Sequence, residues 1–219
     1  MTRIRQAEVR ACRAPGSVRL LAVSKTRTPD EVREAYAAGL REFGENYLQD
    51  AMSKVDALTD LAICWHFIGP LQSNKTRPVA THFDWVHSID RLKVAQRLSA
   101  QRPADKPPLN LCIQVNISGE ANKSGVAADE VMALASELVG LPGVVLRGLM
   151  AIPAAAVSLT EQRHAFARMQ QLLEQLRVRV PTADTLSMGM SDDLEAAVAE
   201  GSTLVRIGTA LFGTRRPLA

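Results

Sequence analysis

The sequence predicts a parallel (β/α)8 barrel, the TIM-barrel class, built as a single domain over residues 1–219 with an extra helix ahead of its first strand. Three observations carry this. Apolar runs rich in Val, Ile and Leu recur eight times, amphipathic helical patterns alternate with them, and glycine, proline and capping residues punctuate the junctions. Parallel strands buried on both faces read as such continuous apolar runs, and eight of them within 219 residues fit a barrel at the small end of its range.

The predicted strands are residues 18–25, 42–46, 64–69, 85–89, 109–117, 145–152, 185–190 and 203–212. Helices are expected over 29–38, 47–58, 75–80, 91–101, 127–139, 160–178 and 192–199, with the leading helix over 2–13. Thr28-Pro29 reads as an N-cap followed by proline at the first helical position, and Gly39, Gly140 and Gly201 each stand where a helix should stop. A doubly wound open sheet is the competing architecture, but its first turn would be glycine-rich, whereas this one reads Ser24-Lys25-Thr26-Arg27-Thr28. Residues 103–108 are a plain loop.

With 47% hydrophobic and 22% charged residues, one core of this size can bury about 70% of the unfolded surface, so a second domain is not required. The net charge of +3 is spread along the chain without a basic run or interleaved aromatics, which argues against nucleic acid. The first ten residues are charged at short intervals, and no long apolar stretch follows anywhere, so a cytoplasmic protein without a membrane segment is expected. Cys12, Cys64 and Cys112 are odd in number and widely spaced. They read as reduced thiols, the last two in strands or core. His66, His82, His87 and His164 lack metal-ligand spacing, so no metal is expected.

In a barrel of this class the active site lies at the C-terminal ends of the strands, so the polar residues closing each apolar run are the candidates. They are Lys25, Asn46, His87, Ser88, Asn116, Ser191 and Arg206. Lys25 follows Leu20-Leu21-Ala22-Val23-Ser24, where desolvation would disfavour its charged form and raise its nucleophilic fraction. Position alone still favours a lysine that merely leaves the strand for solvent. The last two strand-to-helix connections shift that balance. Met188-Gly189-Met190-Ser191-Asp192-Asp193 offers a glycine and a hydroxyl at a helix start, with Ser191 as the expected N-cap, and Arg206-Ile207-Gly208-Thr209 adds a cation, a glycine and a second hydroxyl. A lysine nucleophile beside a phosphate cradle suits a phosphorylated aldehyde cofactor. Asp192 and Asp193 would repel a phosphate and are expected to point away. Met150, Met188 and Met190 read as core filling, and Gln72-Ser73-Asn74-Lys75 as a helix start that could also touch a ligand.

At these motifs the chain closely resembles the pyridoxal phosphate homeostasis protein family, single-barrel relatives of alanine racemase. The resemblance rests on Leu21-Ala22-Val23-Ser24-Lys25-Thr26, Phe43-Gly44-Glu45-Asn46-Tyr47, the run Trp65 to Lys75, Gly148-Leu149-Met150-Ala151-Ile152, Ser187 to Asp193, and Val205-Arg206-Ile207-Gly208-Thr209. It implies that one domain over 1–219 binds pyridoxal 5′-phosphate, that Lys25 holds it as the internal aldimine, and that Ser191, Gly208 and Thr209 hold its phosphate. It also implies that Arg206 sits at the pyridine nitrogen, with Asn46 a further cofactor-facing residue. An arginine cannot give up a full proton to the ring, which leaves the pyridine a poorer electron sink.

The same resemblance implies a further absence. Alanine racemase takes its opposite base from a tyrosine of a second, β-rich domain, and this sequence stops at Ala219 straight after its eighth strand. The leading segment also reads shorter than the family's usual one, so the floor of the barrel is expected to be less fully capped.

Three functions follow as expectations. The first is intracellular buffering or delivery of pyridoxal phosphate without robust catalytic turnover, no residue being assigned a catalytic role. The second is a pyridoxal-phosphate-dependent racemase or decarboxylase with Lys25 also acting as base. The third is a cofactor-free aldolase-type lysine. The expected partners are pyridoxal phosphate and the apo-enzymes that would receive it, and the expected state is a monomer.

Overall fold

The structure is a computed structural model that describes residues 1–120, 123–154 and 158–213. Eight strands close into a barrel in sequence order: β1 (Arg19–Val23), β2 (Glu42–Glu45), β3 (Cys64–Phe67), β4 (Trp85–Ile89), β5 (Leu109–Val115), β6 (Val144–Ala151), β7 (Thr185–Ser187) and β8 (Leu204–Ile207). Every neighbouring pair is parallel, and β8 closes on β1 with Leu20 opposite Val205 and Ala22 opposite Ile207. All eight predicted strands are present. Most are shorter than predicted, because the residues beyond their C-terminal ends belong to the loops and to α9.

The helices are α1 (Thr2–Arg10), α2 (Pro29–Ala37), α3 (Leu48–Ala57), α4 (Thr76–His82), α5 (Leu92–Gln101), α6 (Val131–Leu138), α7 (Leu159–Arg179), α8 (Leu194–Ala199) and α9 (Thr209–Phe212). The Thr28 cap forms as expected: its hydroxyl accepts the Glu31 N–H, and the Glu31 carboxylate accepts the Thr28 N–H at 2.8 Å. Residues 209–212, read as the end of the last strand, instead form α9. The run Ala210-Leu211-Phe212 is too short for periodicity to separate helix from strand. Among the described residues no helix is long and apolar enough to cross a membrane.

The main apolar layer lies between the barrel wall and the helices. It combines outward-facing strand residues such as Phe43, Val86, Leu111 and Leu186 with Val55, Val94, Leu134 and Leu173 of the helices. Helix α1 packs over the β8 side of the wall and does not lie beneath the barrel: Ile4 and Ala7 meet Val18, Leu194, Val198 and Val205. Its C-terminal side is pinned by Arg13, which donates to the carbonyls of Val198 and Ser202. The floor is closed by the barrel's own strand starts. Arg19 and Arg147 both stack on Trp85, while Arg19 pairs with Glu42 and Arg147 with Asp184.

Inside the barrel, Leu21, Val23, Ile68 and Leu204 form one apolar cluster, and Cys64, Trp85, Cys112 and Met150 another. The space between is polar and buried, occupied by His66, His87, Ser187 and Arg206.

Candidate functional site

Strand alternation decides which residues face the site. On β1, Leu21 and Val23 point inward, so Lys25, two residues beyond Val23, emerges over the barrel mouth while Ser24 turns outward. On β2, Gly44 faces inward against Leu21 and Ile68, which brings Asn46 to the mouth beside Lys25. Gly69 lets the chain after β3 pass against Asn46: a Cβ there would lie 1.9 Å from the Asn46 carbonyl oxygen.

A cavity of about 250 Å³ opens at this end. Lys25, Asn46, Ser191, Arg206, Gly208 and Thr209 all line it, with Val23, Ile68 and Ile152 as its apolar walls. The six residues singled out from the sequence are therefore neighbours around one space, although they come from four different strand ends. Two larger grooves adjoin it. One, of about 520 Å³, shares Met190 and Asp192, and the other, of about 560 Å³, shares Asn46 and runs along Tyr47, Gln72 and Lys75.

Arg206 is the most constrained member. Its Nη1 donates to the Ser187 carbonyl at 2.6 Å and to the Ser187 hydroxyl at 2.9 Å, and its Nη2 donates to the Ala151 carbonyl at 2.9 Å. Burial pushes its guanidinium down to about 10, with the Asp193 carboxylate opposing that shift, so it stays charged at neutral pH. Ser187 continues the network inward. Its Oγ lies 2.9 Å from Nδ1 of His87, whose Nε2 lies 2.9 Å from Nδ1 of His66. The Nε2 of His66 then faces Cys64 Sγ at 3.4 Å and a Glu42 carboxylate oxygen at 3.7 Å. A polar line thus runs down the barrel axis from the cavity to the floor. Burial first holds both imidazoles well below the usual histidine range, helped at His66 by His87 and Arg19 and at His87 by Arg206 and Arg19.

The segment after β7 departs from expectation in two details. Asp193, not Ser191, occupies the N-cap position of α8, and its carboxylate turns back to accept the Met190 N–H at 2.6 Å. Asp192 stays on the cavity wall and is exposed, so it is not turned away as the sequence suggested. Met150 and Met188 are core, but Met190 is 40% exposed and lines the cavity. Ser88 is buried on the other face of β4 from His87. Asn116 is engaged by its own loop, donating to the Glu120 carbonyl, and does not line the cavity.

Sequence reading missed the groups behind Lys25. Lys54, on α3, is fully buried, and its Nζ reaches the Ser24 carbonyl, Glu45 and Asp50. One signal was available: Lys54 lies on the helical stripe of Ala51, Val55 and Leu58, where a charge would be buried.

The family model described as alanine racemase, N-terminal domain, matches residues 4–216. The chain belongs to that family. A Pseudomonas aeruginosa relative named pyridoxal phosphate homeostasis protein is 62% identical over 213 residues, covering 97% of this chain and 91% of that one. An Escherichia coli relative of the same name is 52% identical over 216 residues, covering 97% and 92%. Among solved structures, PipY of Synechococcus elongatus with PLP bound superposes with a TM-score of 0.83 at 40% identity, covering 95% of this chain and 98% of that one. An alanine racemase from Corynebacterium glutamicum, at 19% identity and a TM-score of 0.72, covers all of this chain but 61% of its own and shares the fold.

Proposed function

We propose that this protein binds pyridoxal 5′-phosphate reversibly on Lys25 and serves to hold and buffer that cofactor in the cytoplasm, releasing it to apo-enzymes that need it. The observation that carries the reading is the convergence of Lys25, Asn46, Ser191, Arg206, Gly208 and Thr209 on one cavity of about 250 Å³. The names of the curated relatives and the cofactor in the PipY structure support it.

The residues fit the group chemically. The buried Oδ1 of Asn46 has no hydrogen-bond partner and would accept one from a ligand hydroxyl or N–H. The opening N–H groups of α9 have no acceptor within the helix, and Thr209 adds a hydroxyl, so this turn suits a phosphate. Asp192 on the wall lies where its charge would need to stay in solvent.

When bound, the cofactor supplies an electrophilic aldehyde. Attachment to Lys25 would replace the aldehyde's carbon–oxygen double bond by a carbon–nitrogen double bond to the neutral Nζ, whose two protons would leave with the oxygen as water, so release would need only water or a competing amine. Arg206 would orient the ring from its nitrogen side. Held by three hydrogen bonds and charged at neutral pH, it donates without surrendering a proton. That leaves the ring less able to stabilise a carbanion, which favours custody of the cofactor over catalysis. The free thiols Cys12, Cys64 and Cys112 agree with a reducing compartment.

The test is spectroscopic. Purified protein mixed with pyridoxal phosphate should gain a visible absorbance band that borohydride abolishes, and mass spectrometry should place the reduced adduct on Lys25. An identical band in Lys25→Ala would sink the assignment. The mass of the trapped adduct also distinguishes this cofactor from a sugar-phosphate aldehyde or ketone.

A further inference from the structure

We propose that Lys54 is the positioning residue of the Lys25 site: its buried ammonium ties the backbone on both sides of Lys25 to α3 and so fixes where that lysine emerges. The inference rests on the reading of Lys25 as the attachment point.

The connection after β1 has an unusual turn. Thr26 has φ +64°, a left-handed conformation that β-branched residues rarely adopt, because the side chain crowds its own backbone. The Thr26 side chain does not compensate, since its Oγ1 is buried without a hydrogen-bond partner. The turn is closed by one backbone bond, from the Arg27 N–H to the Ser24 carbonyl at 3.0 Å, and is anchored from outside by side chains of α3. The Thr26 N–H donates to Asp50 Oδ2 at 3.1 Å, and the same oxygen accepts from Lys54 Nζ at 2.9 Å.

The other flank is held by the same ammonium. Lys54 Nζ donates to the Ser24 carbonyl at 2.7 Å and to Glu45 Oε1 at 2.8 Å, and the Ser24 hydroxyl donates to that same Glu45 oxygen at 2.5 Å. Ser24 and Thr26 are the two chain neighbours of Lys25, and Glu45 precedes Asn46, so one cation organises the ends of β1 and β2 from behind the cavity wall. Lys54, Ser24 and Glu45 are all buried, and the three bonds satisfy the ammonium's three donors. A buried ion pair that only cemented the wall would have no reason to engage both peptide neighbours of one residue.

The deciding experiment uses the full-length chain and pyridoxal phosphate as probe. Lys54→Met keeps the stem and removes the charge. Its rate of attachment to Lys25, followed by the visible band and the borohydride-trapped peptide, should fall by about tenfold, because small misplacements of a reacting group are costly. Adding Thr26→Gly should restore most of that rate, since glycine adopts φ +64° without crowding. In the cofactor-free protein, hydrogen exchange at the Thr26 amide should rise in Lys54→Met and in Asp50→Ala, a milder change at a half-exposed residue that serves if Lys54→Met does not fold.

Attachment at the wild-type rate in Lys54→Met, or a slow rate that Thr26→Gly fails to rescue, overturns the positioning role. So does an unchanged Thr26 exchange rate. A wild-type protein that traps no adduct on Lys25 refutes the cofactor reading instead, and the exchange measurement still judges the clamp.

Discussion

His66 and His87 meet at 2.9 Å in the middle of the barrel, both sealed from solvent, and His87 leads directly to the serine that holds Arg206. The pairing requires at least one imidazole to present an unprotonated nitrogen, and burial favours the neutral form of both. If Ser187 donates to His87, His87 donates to His66, and His66 presents its remaining N–H toward Glu42, each neutral ring gives one N–H and accepts at its other nitrogen. At the floor end of the line, His66 Nε2 faces Cys64 Sγ at 3.4 Å, with a Glu42 carboxylate oxygen farther off at 3.7 Å.

Acid should therefore weaken the fold through these two rings. Their folded-state affinity for protons lies well below the ordinary histidine value of 6.5, so both stay neutral in the fold while the unfolded chain takes up protons. Stability is unaffected above pH 6.5 and falls below it, by up to about 1.4 kcal/mol per pH unit for each ring. Urea midpoints between pH 7.5 and 5 should show this slope, and His87→Gln should reduce it. An unchanged slope in that variant would contradict the assignment.

The thiols should separate cleanly. Burial pushes Cys64 and Cys112 up to about 12, whereas Cys12 is exposed after α1. At pH 8, iodoacetamide should modify Cys12 alone in the native protein and all three on unfolding. Modification of Cys112 without denaturant would mean that the barrel interior opens readily.

Glu8 adds a loss of stability in acid at lower pH, through a carboxylate. It is buried, and burial alone would push its carboxyl up, but Arg5 and the N–H groups of Gly16 and Val18 outweigh this and hold it below the ordinary value of 4.5. Its stabilising effect is present above pH 4.5 and is lost as pH falls through the lower folded-state value. Glu8→Gln should cost about 1–3 kcal/mol at pH 7 by leaving buried N–H groups poorly paired. The gap to wild type should narrow in acid. A gap that stays constant with pH would show that charge plays no part.

The barrel was legible because parallel strands buried on both faces leave apolar runs that need no partner to be noticed. The cavity residues were legible for a related reason: once strand ends are known, Lys25, Asn46, Ser191 and Arg206 stand where such barrels collect polar groups. What escaped depends on closure. His66 and His87 lie on adjacent strands, while Ser187 and Arg206 come from across the barrel, so no spacing along the chain relates them. Lys54 escaped because a helical lysine usually reaches solvent, and only the packing of α3 against β1 and β2 shows that this one does not.

Two glycines near the mouth should separate scaffold from site. Gly189 has φ +94°, and a Cβ there would lie 2.5 Å from the Ala197 methyl in α8, so Gly189→Ala combines a strained backbone with overpacking. A loss of about 2–4 kcal/mol follows, which for a chain of this length lowers Tm by roughly 4–16 °C. Gly208 has an ordinary φ of −116°, and its added methyl would meet Val23 most closely, at 3.2 Å from the carbonyl oxygen, 3.4 Å from Cβ and 3.8 Å from Cγ1. Gly208→Ala should therefore melt close to wild type yet bind pyridoxal phosphate more weakly, because the methyl crowds the cavity wall where the phosphate is proposed to sit. Thermal melts beside a titration of the visible band decide it. If Gly208→Ala binds as wild type does, the phosphate lies elsewhere. If its melt falls as far as that of Gly189→Ala, the position belongs to the scaffold.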